Sequence, residues 1–442
     1  MFKSWRFLFV VPFAAFFTFI CAGCTTGQPG PKDNPNPPAP KLKITETSLG
    51  KFGDGLVERS LICSPDMRHA AWILKQGEKQ HVVMDGLAGK EYDRIGSPCA
   101  VKPIVFSPDS KRVAYAAKRG GKYVTVIDGE EGKEYDDIFP IVFSPDSARV
   151  TFGATQGEKH FVVVDNVAGK EYDNVCFPPP GISLVFSPDS KRVAHAAGRG
   201  DKLFVVVDGT EEKEYDAVYK IQFSPDSSRV AHNAIRGEKR LAVIGGAEGK
   251  EYDDVVDDIT FSPDSKHVAY VANLDGQSFV VLDGVEKKEH HVGGLCMAFS
   301  PDSTRFAHVA REDQKSFVVV NDAAGKAYDS AADFTLIFSP DSQRLAYAAY
   351  HGGKQFIVVD GVEGKEYDKI IWHTPAFSPD SKRVAYLAEK GGKGIVIVDG
   401  LESNTYDSFV EGSTPIFDSP TKLHTIAVRN GEIFLVEIEI TE

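Results

Sequence analysis

The chain has 442 residues, 42% hydrophobic and 26% charged, a make-up that fits a folded protein and excludes disorder over most of its length. Its 50 Lys and Arg stand against 63 Asp and Glu, for a formal net charge of −13 with no basic block. No nucleic-acid partner is therefore expected, because phosphate neutralisation supplies much of such affinity.

Residues 1–6 carry Lys3 and Arg6, and residues 7–20 follow as a near-apolar run interrupted only by Pro12 and Thr18. The run is shorter than the roughly 20 residues a spanning helix needs, so it reads as a secretory signal. It ends in Cys21-Ala22-Gly23-Cys24, which resembles the bacterial lipobox, with Cys21 where that motif usually has Leu. The resemblance implies that residues 1–23 are removed and that Cys24 is lipidated. An ordinary cleaved signal with an incidental cysteine is the alternative. Thr25 rather than Asp after the anchor points, by the same resemblance, to the outer membrane. Residues 24–41 are rich in proline and cannot build a core, so they are expected to form an extended tether.

From residue 42 to 442 the chain repeats itself. Ser-Pro-Asp recurs with its proline at 65, 108, 145, 188, 225, 263, 301, 340 and 379, and a decayed copy, Asp418-Ser419-Pro420, follows. The spacing is about 40 residues, the period of propeller blades. In the unit 102–138, Pro108 presets a turn and Asp109 tolerates its second position. Strand A is expected near 103–106, B near 112–117 and C at Tyr123–Ile127. Asp128-Gly129 then opens a hairpin into strand D at Lys133–Asp136. The copies of strand C, such as FVVVD, FIVVD and IVIVD, are almost wholly β-branched. That pattern means burial on both faces, as in a sheet sandwiched between two others.

The last unit supplies A, B and C and no D, while Lys43–Leu49 precedes the first unit without a partner. Pairing the two would complete a tenth blade and remove exposed edges. An all-β propeller of ten four-stranded blades is the expectation, nine intact and one composite. Two smaller rings are the alternative, disfavoured because no step between copies exceeds 43 residues.

FSPDSKRVAY and its copies resemble the WD40-like repeat of TolB-type periplasmic propellers and of prolyl oligopeptidase propellers. That family usually has Gly as the fourth motif residue; here it is Ser in eight copies and Met67 in the first. The resemblance implies the fold and says little of activity.

Residues repeated in nearly every unit are expected to be frame. These include the Asp of Ser-Pro-Asp and the Tyr-Asp of strand D, present from Tyr92-Asp93 to Tyr406-Asp407. His195, His232 and His308 fall in the strand-B slot that holds Trp72, Tyr115, Phe152 or Tyr270 elsewhere, which predicts packing and not metal binding. His290-His291 replaces Tyr-Asp in one unit and breaks the frame. Arg199-Gly200-Asp201 is the ordinary B–C turn with one substitution. Cys63 takes a Phe position and is expected as a buried free thiol. Cys99 and Cys176 lie in lengthened connections, where free thiols are expected and a disulfide is the alternative in an oxidising envelope.

The connections from strand D to the next strand A differ in every unit. They bring Lys102, Phe139, Tyr219, Lys220, Asp257, Asp258, Asp333, Trp372, His373 and Glu411 to one rim, the expected partner surface, with Trp372 and Tyr219 as aromatic anchors. Tolerant loops of no function are the bland alternative. No His-Glu-x-x-His, pair of Cys-x-x-Cys motifs or Gly-x-Ser-x-Gly occurs, so neither a metal, a cofactor nor a catalytic residue is expected. The sequence reads as a non-catalytic, lipid-anchored binding scaffold of the bacterial cell envelope, at the outer membrane or cell surface, for a protein or glycan partner. A propeller hydrolase or lyase acting on a peptide or glycan is the alternative.

Overall fold

The computed structural model describes residues 40–97, 102–175, 184–287, 291–332, 335–371 and 374–441, with the backbone alone for 257–258 and 291–295. The signal segment, Cys24 and most of the tether lie outside these residues, as do Cys99, Cys176 and His290.

Ten antiparallel sheets follow one another along the chain. They are numbered here by their turns, blade 1 holding Ser64-Pro65-Asp66. Blade 4 shows how the sequence makes one. Strands Val193–Arg199 and Lys202–Val207 pair along six residues, and Val205 and Val206 are at most 1% exposed. Their β-branched side chains suit a pleated strand, and neighbouring blades cover both faces, as the continuous apolar pattern requires.

The Ser-Pro-Asp-Ser turn is held from inside. Ser187 Oγ donates to Asp189 Oδ1 at 2.6 Å, Asp189 accepts the Lys191 amide at 3.2 Å, and Ser190 N–H closes the turn on Ser187 O at 2.8 Å. Ser190 sits at φ +63°, a left-handed conformation that favours glycine. What serine gains in exchange reaches across the seam: Ser190 Oγ accepts the amide of Asp146 in blade 3 at 2.9 Å. The same bond joins Asp109 to Ser147 and Asp341 to Ser381. The serine at this turn position thus makes an inter-blade contact.

The ring closes as the ends of the array predict. Lys41–Lys51 pairs antiparallel with Glu432–Thr441, from Lys41 opposite Thr441 to Lys51 opposite Glu432. The strand is longer than the expected Lys43–Leu49. Blade 10 then packs on blade 1, with Trp72, Ala70 and Val83 joining Val410, Ile426, Val428 and Ile433 in one buried cluster. A single ten-bladed ring replaces the alternative of two.

The aromatic slot is also as expected. Strand-D tyrosines pack edge-on against the slot residue of the next blade, as Tyr92 does on Tyr115, Tyr172 on His195 and Tyr215 on His232, with ring centroids 5.9–6.3 Å apart. His308 stacks on Phe306 at 5.7 Å. Cys63 is a free thiol, pushed up to about 12 by burial.

Two expectations need correction. Strand D is not one continuous strand in most blades. In blade 3 Val167–Ala168 pairs, the chain then bulges, and Tyr172 makes a separate bridge to His160. Gly169 permits this, because a Cβ there would meet Val162 O at 3.1 Å. The second correction concerns the D–A connections, which are not all free loops. In blades 3, 5, 6 and 7 they run within the innermost strand: Ala217–Phe223 contains Tyr219 and Lys220, with a register shift between Tyr219 and Gln222. There, bending at the inner edge is accommodated by a bulge and not by a loop, whereas in blade 10 the connection 410–415 separates Ser408–Phe409 from Ile416–Ser419, both paired with Lys422–Arg429.

Candidate functional site: the inner-strand bulges

Most exposed polar groups on the blades are engaged with one another. Asp216 accepts Lys202 Nζ at 2.5 Å and the Gly237 amide of the next blade at 2.6 Å, and both hold its carboxyl below the usual carboxylate range. Glu248 accepts Lys213 at 2.8 Å and the Tyr215 hydroxyl at 2.8 Å across the same seam, and is lowered to about 2. Such groups repeat because they hold blades together.

The inner-strand bulges differ in kind. They lie on the face that carries the B–C turns, opposite the Ser-Pro-Asp turns. Tyr219 is half-buried, and burial pushes its hydroxyl up while Arg240 opposes the shift. Arg240 is in turn held by Asp254 at 3.2 Å and by Asp253 O at 3.0 Å. Lys220, beside it, has φ +56°. Lys102 is exposed and lines one narrow cleft with Phe139 and Pro140, between blades 2 and 3. Phe139 lies 6.1 Å from the His160 ring. Glu411 is exposed on the bulge of blade 10, next to Gly412 at φ +83°.

Those of the expected residues that are described are therefore distributed one blade at a time around a face; Lys102 and Phe139 share a cleft, while Tyr219 and Lys220 are neighbours in one bulge. Asp257 and Asp258 fall on the bulge of Asp254–Phe261, between Val256 and Thr260, and their side chains are outside the described residues. So are Asp333, Trp372 and His373.

One pair was missed from the sequence. Glu58 and Arg59 of blade 1 are both exposed, Arg59 at φ +57°. Ser60 closes their bulge by donating to Val57 O at 2.6 Å and accepting the Ile73 amide at 3.0 Å. Ser413 does the same work in blade 10, donating to Ile426 O at 3.1 Å. The signal was available: Val57-Glu58-Arg59-Ser60 matches Val410-Glu411-Gly412-Ser413 residue for residue in spacing. Among the described residues no three His, Cys, Asp or Glu side chains gather as metal ligands.

The chain is a ten-bladed β-propeller. No family model and no curated protein matches it. Solved structures with a similar fold include a eukaryotic initiation factor, at 14% identity over 76% of this chain and 95% of that one, with a TM-score of 0.46. TolB from Acinetobacter baumannii is 12% identical over 68% of this chain and 80% of that one, with a TM-score of 0.29. A TolB structure from Agrobacterium tumefaciens is 15% identical over 53% and 94%, with a TM-score of 0.28. These likenesses concern fold alone, and the propeller rests on its own ten sheets.

Proposed function

We propose that this propeller is a non-catalytic interaction scaffold of the bacterial cell envelope, held by a lipid on Cys24 and binding a protein or glycan through the bulged face. The observation that supports this reading is the contrast within one repeat. Frame carboxylates and cations are saturated by partners in adjacent blades, whereas the bulge residues change charge and shape at every blade: Glu58 and Arg59, Lys102, Phe139, Tyr219 and Lys220, Glu411. Asp257, Asp258, Asp333, Trp372 and His373 belong to the same series by position in the repeat. A surface whose fixed parts bind themselves and whose variable parts face one way is suited to recognition.

A photo-cross-linking residue placed at Tyr219, compared with one at the exposed outer-edge Val167, tests the face in intact cells. A discrete adduct at 219 and none at 167 is expected, and the adduct should weaken in a Trp372→Ala background. Equal, diffuse adducts at both sites would remove the reading. Turnover of a captured glycan or peptide would instead favour the hydrolase or lyase. Cys24→Ala should release the chain from the membrane fraction, which tests the anchor separately.

A further inference from the structure

On the face that carries the Ser-Pro-Asp turns, one clasp recurs from blade to blade. In blade 4 it is built on Asp208, which opens the C–D hairpin. Asp208 Oδ2 accepts Arg192 Nε at 2.8 Å, and Oδ1 accepts the Val193 amide at 2.9 Å. The same two-point grip holds Asp128, Asp165 and Asp360. A histidine replaces the arginine in blades 1 and 6, and His69 and His267 still meet Asp85 and Asp283 at 2.6–2.7 Å. The clasp is thus a carboxylate receptor made of one cationic side chain and one backbone N–H, each taking one oxygen.

Blade 5 has the donors without the acid. Arg229 and Val230 stand where Arg192 and Val193 do, and Gly245 stands in place of the aspartate. Gly245 keeps the aspartate's backbone, with φ +58° against +47° to +54° at the aspartates. Its amide still bonds Val230 O, at 2.7 Å, as the Asp208 amide bonds Val193 O at 2.9 Å. A Cβ on Gly245 would meet the Arg229 stem at 3.6–3.9 Å, an ordinary contact. The difference from the other blades is therefore one carboxymethyl group, removed at an exposed position beside the buried Val230.

Arg229 keeps its place at the seam. Its Nη2 donates to Ser265 O of blade 6, and the guanidinium lies 5.1 Å over Phe261. Arg192 likewise reaches Ser227 O at 3.0 Å and lies 5.3 Å over Phe223, while its Nε holds Asp208. In blade 7 Asn321 replaces the aspartate, and its side-chain oxygen still accepts the Phe306 amide at 2.9 Å. Blade 5 is the one Ser-Pro-Asp blade whose residue at this position supplies no side-chain oxygen at all. A buried backbone N–H is ordinarily paired, so the Val230 amide and Arg229 together form a ready pair of donors.

We propose that the notch at Gly245 is a carboxylate-binding site, in which Arg229 and the Val230 amide take an acid group from outside the chain as Arg192 and the Val193 amide take Asp208. The room is that of an aspartate side chain, so the ligand is a carboxylate on a short, unbranched stem, either a free small acid or an aspartyl or glutamyl side chain. Asp226 of the same turn does not bar it. That carboxylate is engaged by Ser224 and Ser228, and its counterpart Asp189 coexists with Asp208 in blade 4. The site lies on the face opposite the bulges and is independent of them.

The Val230 amide of the full-length chain reports on the notch by NMR, with ¹⁵N at valine and the signal assigned by its loss in Val230→Ile. Sodium acetate should move this signal downfield and saturate, toward the position it takes in Gly245→Asp, whose own carboxylate closes the clasp. Acetate should leave the signal of Gly245→Asp where it is, and sodium chloride at matched ionic strength should move neither. Arg229→Gln should weaken the acetate response by about tenfold. Acetyl-aspartate methylamide separates the two sources: saturation at lower concentration than acetate assigns the site to a side chain of a partner, and at higher concentration to a free small acid. A Val230 signal that moves with neither compound would overturn the proposal, as would equal movement with chloride or in Gly245→Asp.

Discussion

Tyr406 donates its hydroxyl hydrogen to Glu46 at 2.9 Å, although 360 residues separate them in the chain. Arg429 Nη1 reaches the same carboxylate at 3.0 Å. Glu46 thereby fills the place that Glu248 holds in blade 5 and Glu402 in blade 9: the strand-D glutamate that receives the preceding blade's tyrosine. The N-terminal strand completes the last blade in side-chain chemistry as well as in backbone pairing.

Glu46→Gln keeps the shape and removes the charge. Hydrogen bonding from Arg429, the largest cause, holds the Glu46 carboxyl below its ordinary value. A carboxylate lowered by folding stabilises the fold above its unfolded value of about 4.3, and loses that contribution as pH falls from there through the folded value. The variant should be less stable at pH 7 by about 1 kcal/mol, allowing for the partial exposure of Arg429. The difference should shrink as pH falls below about 4.3; urea unfolding at pH 7 and pH 3 measures the change.

Gly50 and Trp72 form a second closure pair. A Cβ on Gly50 would lie 2.9 Å from Trp72 Cη2 and 3.1 Å from Gly86 Cα, and φ is +130°. The closing strand has no tyrosine to offer blade 1, and Trp72, the largest residue in the aromatic slot, fills that space edge-on to Phe52 at 6.3 Å. Gly50→Ala should cost about 2 kcal/mol. Trp72→Phe removes the clashing ring atom, so the double variant should be more stable than the two single losses predict. Thermal melts of the four proteins measure the coupling.

Ser190 separates two roles of one residue. Ser190→Ala deprives the Asp146 amide of its acceptor and keeps the left-handed backbone, for a loss of about 1 kcal/mol. Ser190→Gly loses the same acceptor but relieves a backbone strain of about 1 kcal/mol, and should come out near neutral. Equal losses in the two variants would show that the strain is negligible.

His195 is buried, and burial holds its imidazole below the ordinary histidine value. A histidine kept neutral by the fold stabilises it above about pH 6.5 and loses that contribution as pH falls toward the lowered folded value. His195→Phe, the residue type that blade 3 has in this slot, should lose less stability than the unsubstituted chain between pH 7 and pH 5, as read from denaturation midpoints.

Much of this was readable in the residues. The Pro and Asp of each turn, the Asp-Gly hairpins and the β-branched strand C specify the blade locally, and ten copies with a missing D strand imply a ring closed by Lys43–Leu49. His195 and His232 were placed in a packing slot by alignment of the repeat with itself. The bulges were not legible, because Val-Tyr-Lys in a connection and Val-Tyr-Lys in a bent strand have the same composition. Glu58 and Arg59 were overlooked although their spacing repeats that of Glu411.

Sequence by itself determined the unit, its number and its order, since these depend on turn chemistry and burial pattern within some 40 residues. Tertiary structure alone decided which groups meet across seams: that Ser190 serves blade 3 and that Glu46 answers Tyr406. Contacts of that kind join residues far apart in the chain, and their partners are fixed only when sheets stack face to face.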